Sequence, residues 1–305
     1  MNNILLLSLI IKAILLKYNN DSYLINFILI FYISYLYSSN YKISLAISLI
    51  HLLLTTFFKY MNNKNANTIN TIIFVFILYY IKNIIKLVTP YIEIIIFSCV
   101  SYILLSMCEW LIHKNIMHCN KKSLFFNIIS MFDTNKLIEE TCNDHIEHHI
   151  DVKPDMNLFR VPRKESLFMG WTVSKYICLF VILSLIISKY ISGINLSYTK
   201  IIIFGIILTI FWSYLWNKIH PLMHKYKGKY TIQEGPYENI LDLNIINKLI
   251  YRNHSNHHLQ KGSAKGNYNI IVMGADEWFG TYVIKVNNKE YCKNPAVAHE
   301  EICKK

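Results

Sequence analysis

Charged side chains are scarce in this sequence: Asp, Glu, Lys and Arg make up 16% of its 305 residues, whereas soluble domains average about 25%. Apolar residues are correspondingly frequent, at 53%, and they fall in blocks. The longest runs without a charged residue are 22–41, 43–58, 65–81, 94–108 and 201–217. As helices, runs of this length approach the thickness of a bilayer core, about 30 Å. The sequence therefore predicts a polytopic membrane protein in preference to a soluble helical bundle.

Several motifs are also missing, and each absence excludes a class of site. The seven cysteines contain no C-x-x-C pair, which argues against a thiolate zinc site and against a disulfide framework. We therefore expect the cysteines to be reduced. There is no H-E-x-x-H motif of the zinc hydrolases and no G-x-G-x-x-G motif of a dinucleotide site.

The basic residues are arranged as in a membrane protein. The formal net charge is +12, which in a soluble protein would suggest a nucleic-acid partner. Here the lysines flank the apolar runs, as the positive-inside rule predicts for membrane helices. We therefore expect no nucleic-acid partner.

Histidine has the most informative placement of any residue type. The pattern H-x-x-H-H occurs twice, and two further histidine pairs are separated by five and four positions. The clustered histidines are His113, His118, His145, His148, His149, His220, His224, His254, His257 and His258. Positions i, i+3 and i+4 share one face of a helix, so each H-x-x-H-H block can direct three imidazoles to one point. Because neutral imidazole binds zinc, iron and copper well, these ten residues are predicted metal ligands.

The number and spacing of these histidines constrain the site. Ten imidazoles are too many for one ion, because mononuclear sites use about four to six ligands. Two ions with four or five histidines each are therefore predicted. His113 and His118 lie about 140° apart on an ideal helix, so a helix end or a wider local turn is needed for both to reach one ion. His51 and His299 stand alone and are not predicted as ligands.

The last three predicted spans, 91–112, 167–188 and 201–219, determine where the histidines emerge. Each histidine cluster lies at a span end or in a polar segment outside the spans. Because the second and third of these spans cross the membrane twice, all four clusters are predicted to emerge on one face. That face carries most of the Lys and Arg of the connecting segments, so it is predicted to be cytosolic. Residues 1–89 are predicted to be N-terminal transmembrane helices, with a marginal apolar segment at 4–16.

These histidine motifs resemble those of the membrane fatty acid hydroxylase and sterol desaturase superfamily. Pro154-Asp155 and Arg160-Val161-Pro162 are similar to the P-x-D and R-x-x-P stretch of fatty acid 2-hydroxylases. Gly266-Asn267-Tyr268 and residues 276–281 are similar to the N-Y-G and D-x-x-F-G-T motifs of the superfamily. Asn269 stands where its members usually have Gly. The resemblance implies a catalytic region at 90–282, followed by a polar C-terminal tail at 283–305.

The resemblance also implies a fold and an activity. The fold is an all-α membrane bundle in the endoplasmic reticulum, with a cytosolic histidine-rich cap holding two irons that zinc can replace during purification. The implied reaction uses O2 and two electrons, delivered from NAD(P)H by a cytochrome b5-type partner and its reductase, to oxidise a lipid C–H bond. Hydroxylation of a fatty acyl chain or a sphingolipid is the leading hypothesis. A sterol desaturase or methyl oxidase is the alternative within the superfamily, and a histidine-rich metal transporter is the alternative outside it.

Three acidic residues lie close to the histidines in sequence. Glu109 precedes His113 by one helical turn, and Asp144 and Glu147 flank His145. A carboxylate in such a position can accept the ring N–H of a ligand histidine and so fix its orientation. An ordinary charge at the end of a helix is the alternative reading for each of them.

Overall fold

A computed structural model of the chain describes residues 23–61, 65–132, 136–153, 156, 158, 168–224, 245–259 and 266–283. The helices are α1 (Tyr23–Ser38), α2 (Tyr41–Met61), α3 (Ala66–Val88), α4 (Ile92–Leu111), α5 (Leu124–Ser130), α6 (Leu137–Asp151), α7 (Trp171–Ser192), α8 (Tyr198–Met223), α9 (Ile245–Leu259) and α10 (Ala275–Trp278). The described residues contain no strand. The predicted segment 4–16, Pro154-Asp155, Arg160-Val161-Pro162 and residues 284–305 of the predicted tail lie outside the described residues.

Four helical segments are long and apolar enough to cross a membrane. They are Tyr41–Met61, Asn67–Met117, Val173–Ser192 and Tyr198–Met223. Helix α1 is apolar as well, but it is shorter. Large apolar side chains on α8, such as Ile207 and Phe211, are more than half exposed. Exposure of such side chains is unfavourable in water but not in the hydrocarbon core of a membrane. The predicted fold class, an all-helical polytopic membrane protein with a histidine-rich region, is confirmed.

Helices α3 and α4 form one longer helical run. The 3-10 turn Thr89–Tyr91 joins them, and the flanking residues Val88 and Ile92 keep right-handed helical backbone angles. Pro90 lies in the first part of this turn, and because it has no backbone N–H it cannot continue the i to i−4 bonds of α3, which accounts for the local change to 3-10 geometry. The sequence predicts separate spans at 68–88 and 91–112. The structure instead shows a single run of 51 residues, about 76 Å long.

The chain divides into two compact units, and the boundaries between them fall within α4, α7 and α8. The first unit comprises the residues up to Leu104 together with Leu183–Ile201. Its core is built largely from isoleucines of α1, α2 and α3, packed around the buried ring of Phe74. Lys42 and Glu93 form an ion pair of 3.0 Å in this unit.

The second unit comprises Leu105–Ile182 and the residues from Ile202 onward, and it contains all ten predicted ligands. Its core joins Val152 after α6, Trp216 and Met223 of α8, Ile250 of α9 and Ile270 of the segment after α9. These contacts hold together the helices that carry the histidines. The four histidine clusters thus lie in one unit, which agrees with the prediction that they emerge on one face of the membrane. That this face is cytosolic stays a prediction.

Helices α7 and α8 pack antiparallel within the second unit. The backbone N–H of Met169, just before α7, donates to the side chain of Asn217 at 2.7 Å, and the hydroxyls of Ser174 and Ser213 lie 3.0 Å apart. Further along, Gly205 lies so close to Ile182 that an added Cβ would come within 2.6 Å of its side chain. A larger residue at 205 would therefore separate the two helices.

Candidate metal centre

The wider turn that the spacing of His113 and His118 requires is present. Residues Ile112–Met117 form a π-helix at the end of α4, and the backbone N–H of His118 donates to the carbonyl of His113 at 3.2 Å. This i to i+5 bond inserts one extra residue into the turn. The two imidazole rings consequently stack, with centroids 5.2 Å apart.

Helices α6 and α9 each carry an H-x-x-H-H block, and the blocks complete two groups of histidines. The five-histidine group consists of His113, His118, His145, His149 and His257. The four-histidine group consists of His148, His224, His254 and His258. Within each group, the ring nitrogens that face one another all lie within 4.8 Å. Both blocks are therefore split between the two groups, and each group could hold a metal ion.

His220 lies beside the four-histidine group. Its ring centroid is 4.8 Å from that of His254 and 5.0 Å from those of His148 and His224. The ring also stacks on Trp216, at a centroid distance of 4.6 Å. Its nitrogens are outside the set that converges within 4.8 Å. Nine of the ten predicted ligands thus converge, and the tenth is adjacent to them.

Distances within the five-histidine group fit shared coordination of a cation. The Nε2 atoms of His149 and His257 are 3.0 Å apart, and His118 Nε2 lies 3.2 Å from His257 Nε2. Two imidazole nitrogens bound to one ion at about 2.0–2.1 Å lie about 3.0–3.4 Å apart at common coordination angles. A network of hydrogen bonds could not satisfy all these contacts, because a neutral imidazole carries one N–H only.

Burial keeps these histidines neutral. It lowers the pKa of His118, His145, His148, His149, His224, His254, His257 and His258 well below the ordinary value of 6.5. The positive charge that each neighbouring histidine would carry lowers the pKa further. Neutral imidazole is the form that binds a metal ion, so the electrostatics of the site match the chemistry of its ligands.

The segment 266–283 supplies backbone carbonyls to two of these rings. Nδ1 of His113 lies 2.6 Å from the carbonyl oxygen of Tyr268, and Nδ1 of His257 lies 2.8 Å from that of Gly266. A carbonyl can only accept, so Nδ1 must carry the proton in both rings. The Nε2 atoms are therefore free to bind a metal. Partners of this kind fix the orientation of ligand histidines in metalloproteins.

Glu109 has a different role from the one that the sequence predicts. Its buried carboxylate accepts hydrogen bonds from the backbone N–H groups of Ile270, Ile271 and Val272, at 3.1, 2.9 and 2.7 Å. Neither of the two roles that the sequence leaves open for Glu109 is observed: the side chain is buried and not an exposed helix-end charge, and the backbone carbonyl of Tyr268 is the partner of Nδ1 of His113. Glu109 instead ties the segment that carries Tyr268 to α4.

Two further residues of this network, Asp276 and Asn269, were not predicted as site residues from the sequence. Asp276 is completely buried and accepts backbone N–H groups of Tyr268 and Asn269. Asn269 donates from its amide to the carbonyl of Ser106 on α4 at 2.8 Å. The only sequence signal for this pair is its place in the two motifs that resemble the superfamily, and Asn269 is a departure there.

A disulfide next to the five-histidine group contradicts the expectation of reduced cysteines. Cys119 follows His118 directly, and Cys142 lies one turn before His145 on α6. The two cysteines are joined as a disulfide, with Cα atoms 5.3 Å apart and a sequence separation of 23. The expectation was based on the absence of C-x-x-C pairs, and that motif concerns only cysteines that are close in sequence. The fold brings this pair together because both flank histidines that converge.

A cavity of about 850 Å³ reaches the five-histidine group. His113 and His145 are part of its wall. The cavity then follows the paired helices α7 and α8, where Ile177, Val181 and Ile210 line it. It extends along α8 from Asn217 to Ile206, a helical rise of about 16 Å. Asp144 also lines the cavity.

Comparison of the chain with protein-family models, with curated proteins and with solved structures found no match. Inferences about its chemistry therefore rest on the residues of the site itself.

Proposed function

We propose that this protein is a membrane-bound di-iron oxygenase that hydroxylates a C–H bond of a fatty acyl or sphingolipid chain. The observation that carries this proposal is the elongated, largely apolar cavity whose wall includes His113 and His145. An apolar chain in this cavity would have its C–H bonds next to candidate metal ligands. Cavities of about 300–1,000 Å³ are typical of small-molecule sites, and this one is near the upper limit.

The histidine groups suit two irons. The five-histidine group and the four-histidine group, with His220 beside the latter, match the division of ten ligands between two ions. When bound, the irons would supply the activation of O2 and the oxidation of the C–H bond. Zinc prefers the same imidazole ligands, so it can occupy the site in purified protein.

The residues of the chain have separate tasks in this proposal. The buried imidazoles stay neutral and bind the ions through Nε2, while the carbonyls of Tyr268 and Gly266 hold two of them in place. Aliphatic residues of α7 and α8 exclude water and align the acyl chain of the lipid along the cavity. Exclusion of water protects a reactive oxidant from side reactions.

The reaction needs an external electron donor. Insertion of one oxygen atom consumes the lipid C–H bond, one O2, two electrons and two protons, and it yields the alcohol and one water. The sequence has no dinucleotide-binding motif. We therefore propose that the electrons come from NAD(P)H through a reductase and a cytochrome b5-type protein that docks on the face that carries the histidines.

Lipid mass spectrometry tests the proposal. Cells that express the protein with a cytochrome b5 and its reductase should form a hydroxylated lipid, and His148→Ala should abolish it. Isotopically labelled O2 should label the new hydroxyl, and labelled water should not. A new double bond without added oxygen would indicate a desaturase instead. No O2-dependent product in panels of acyl lipids and sterols would overturn the proposal.

A further inference from the structure

The segment 266–283 orients two predicted ligands of the five-histidine group with backbone atoms alone. The carbonyl of Tyr268 accepts from Nδ1 of His113 at 2.6 Å, and the carbonyl of Gly266 accepts from Nδ1 of His257 at 2.8 Å. These two histidines come from α4 and α9, which are far apart in sequence. A single turn thus sets the ring orientation of ligands from two helices.

The position of this turn depends on the buried carboxylate of Asp276. Its Oδ1 accepts the backbone N–H of Tyr268 at 2.9 Å, and its Oδ2 accepts that of Asn269 at 2.6 Å. The hydroxyl of Thr281 donates a third bond to Oδ1 at 2.7 Å. Hydrogen bonds to a carboxylate are shorter and stronger than bonds between neutral groups. Asp276 therefore fixes the backbone on both sides of the Tyr268 carbonyl.

The same residues connect the turn to the helix that carries His113. The side-chain oxygen of Asn269 accepts the backbone N–H of Asp276 at 2.9 Å, so the two residues bond reciprocally. Ser106 of α4 accepts the backbone N–H of Ala275 at 2.9 Å. Gly274 permits this contact, since it has a φ of +142° and a Cβ there would come within 2.7 Å of the Trp278 ring. The turn, α10 and α4 thus form one bonded frame.

We propose that Asp276 is a positioning residue of the five-histidine group. It holds the turn so that Nδ1 of His113 and His257 donates to a backbone carbonyl and Nε2 of both rings faces the bound ion. The four-histidine group makes no bond to this turn among the described residues, so the effect is specific to one ion. This inference rests on the proposed metal site, but it does not depend on the substrate.

Three variants test the inference. Asp276→Asn keeps the shape of the side chain but replaces one accepting oxygen with a donating amide, so one backbone N–H loses its acceptor. Thr281→Val removes the bond to Asp276 and also the acceptor of the Trp110 indole N–H, which lies 2.9 Å from the hydroxyl oxygen, and Thr281→Ser restores the hydroxyl. Glu139→Gln makes the same change from acid to amide at an exposed position of α6 and serves as the control.

Iron affinity is the measurement, made anaerobically by competition with a chelator. Wild-type protein and Glu139→Gln should bind two ions with equal affinities. Asp276→Asn should bind one ion about 10–100-fold more weakly, the usual effect of removing a partner that orients a ligand histidine, and should bind the other ion normally. Thr281→Val should weaken the same ion by a smaller factor, and Thr281→Ser should match wild type.

Two results would overturn the inference. One is wild-type affinity for both ions in folded Asp276→Asn. The other is equal weakening of both ions together with a lower unfolding temperature of the metal-free protein, since that pattern indicates a purely structural role. Failure of the proposed function looks different: wild-type protein would bind iron, and respond to Asp276→Asn as expected, without oxidising any lipid.

Discussion

The two histidine groups differ in what orients their rings. In the five-histidine group, His113 and His257 donate to backbone carbonyls of one turn. In the four-histidine group, Nδ1 of His148, His254 and His258 has no hydrogen-bond partner among the described residues. Those rings are held by packing on one another, with centroids of 4.5 Å between His254 and His258. Backbone carbonyls thus orient two rings of the five-histidine group, whereas His118 of that group resembles the three rings named in the four-histidine group, since its Nδ1 also has no partner among the described residues.

The groups also differ in their access to the cavity. His113 and His145 of the five-histidine group line it, whereas its wall among the described residues includes no member of the four-histidine group. If the protein is the oxygenase that we propose, the lipid approaches the ion of the five-histidine group first. Changes to the cavity and changes to ligands should therefore have separable effects on substrate use and on metal content.

Removal of one ligand from each group should have the largest effect. We expect His145→Ala and His254→Ala each to abolish lipid oxidation, because both ions are needed for the proposed reaction. Each variant should retain the ion of the other group, so metal analysis should find about one ion per chain in both. His51→Ala, a buried histidine of the first unit, should keep both ions and full activity. Full activity in either ligand variant would contradict the assignment.

Obstruction of the cavity should have the next largest effect. Ile177 lines it from α7, and Ile177→Trp should reduce the oxidation of long acyl chains about 10-fold or more, since the added volume displaces part of the chain. Metal content should stay at the wild-type value. Leu179→Trp places the same bulk on the same helix at a side chain that is 55% exposed. Equal losses of activity in the two variants would mean that the acyl chain of the lipid does not bind in this cavity.

Loss of the Glu109 carboxylate should have an effect on stability. Glu109→Gln leaves at least one of three buried or partly buried backbone N–H groups without an acceptor, which costs about 1–3 kcal/mol. The free energy of unfolding in detergent measures this loss. Glu93→Gln, at the other end of α4, breaks a half-exposed ion pair with Lys42 and should cost about 1 kcal/mol or less. An equal loss in both variants would contradict the role that we assign to Glu109.

The local geometry of the site could be predicted from the sequence because helical periodicity encodes it. Both H-x-x-H-H blocks lie on helices, α6 and α9, although each block serves two groups and not the single point that its spacing allows. The wider turn between His113 and His118 appears as the π-helix Ile112–Met117. The helical class followed from the charge-free runs. These inferences needed only contacts between residues close in sequence.

The long-range partners could not be predicted in this way. Glu109 bonds residues that follow it by 161–163 positions, and neither its spacing from His113 nor its charge indicates those partners. The division of each H-x-x-H-H block between two groups also depends on how α6, α8 and α9 pack. The disulfide between Cys119 and Cys142 was missed for the same reason, since no local motif links the two residues.

Acidic pH should destabilise the metal-free protein, by up to about 1.4 kcal/mol per pH unit for each buried histidine. Burial lowers the pKa of the histidines below 6.5 in the folded state, so the unfolded chain binds more protons once the pH falls below that value. By linkage, the free energy of unfolding then decreases as the pH falls from 6.5 towards the lower folded-state values. Above 6.5 both states are neutral at these residues, and the curve should be flat with respect to them.

Both groups should contribute to this slope, because the histidines of both are buried and their pKa values are lowered in the folded state. His254→Ala and His257→Ala each remove one residue that binds a proton in the unfolded chain but not in the folded protein. Unfolding temperatures of the metal-free protein, measured from about pH 7.5 to about pH 5 across the histidine range, should therefore depend less on pH in each variant than in wild type. An unchanged pH dependence in both variants would mean that these two histidines are already protonated in the folded, metal-free protein.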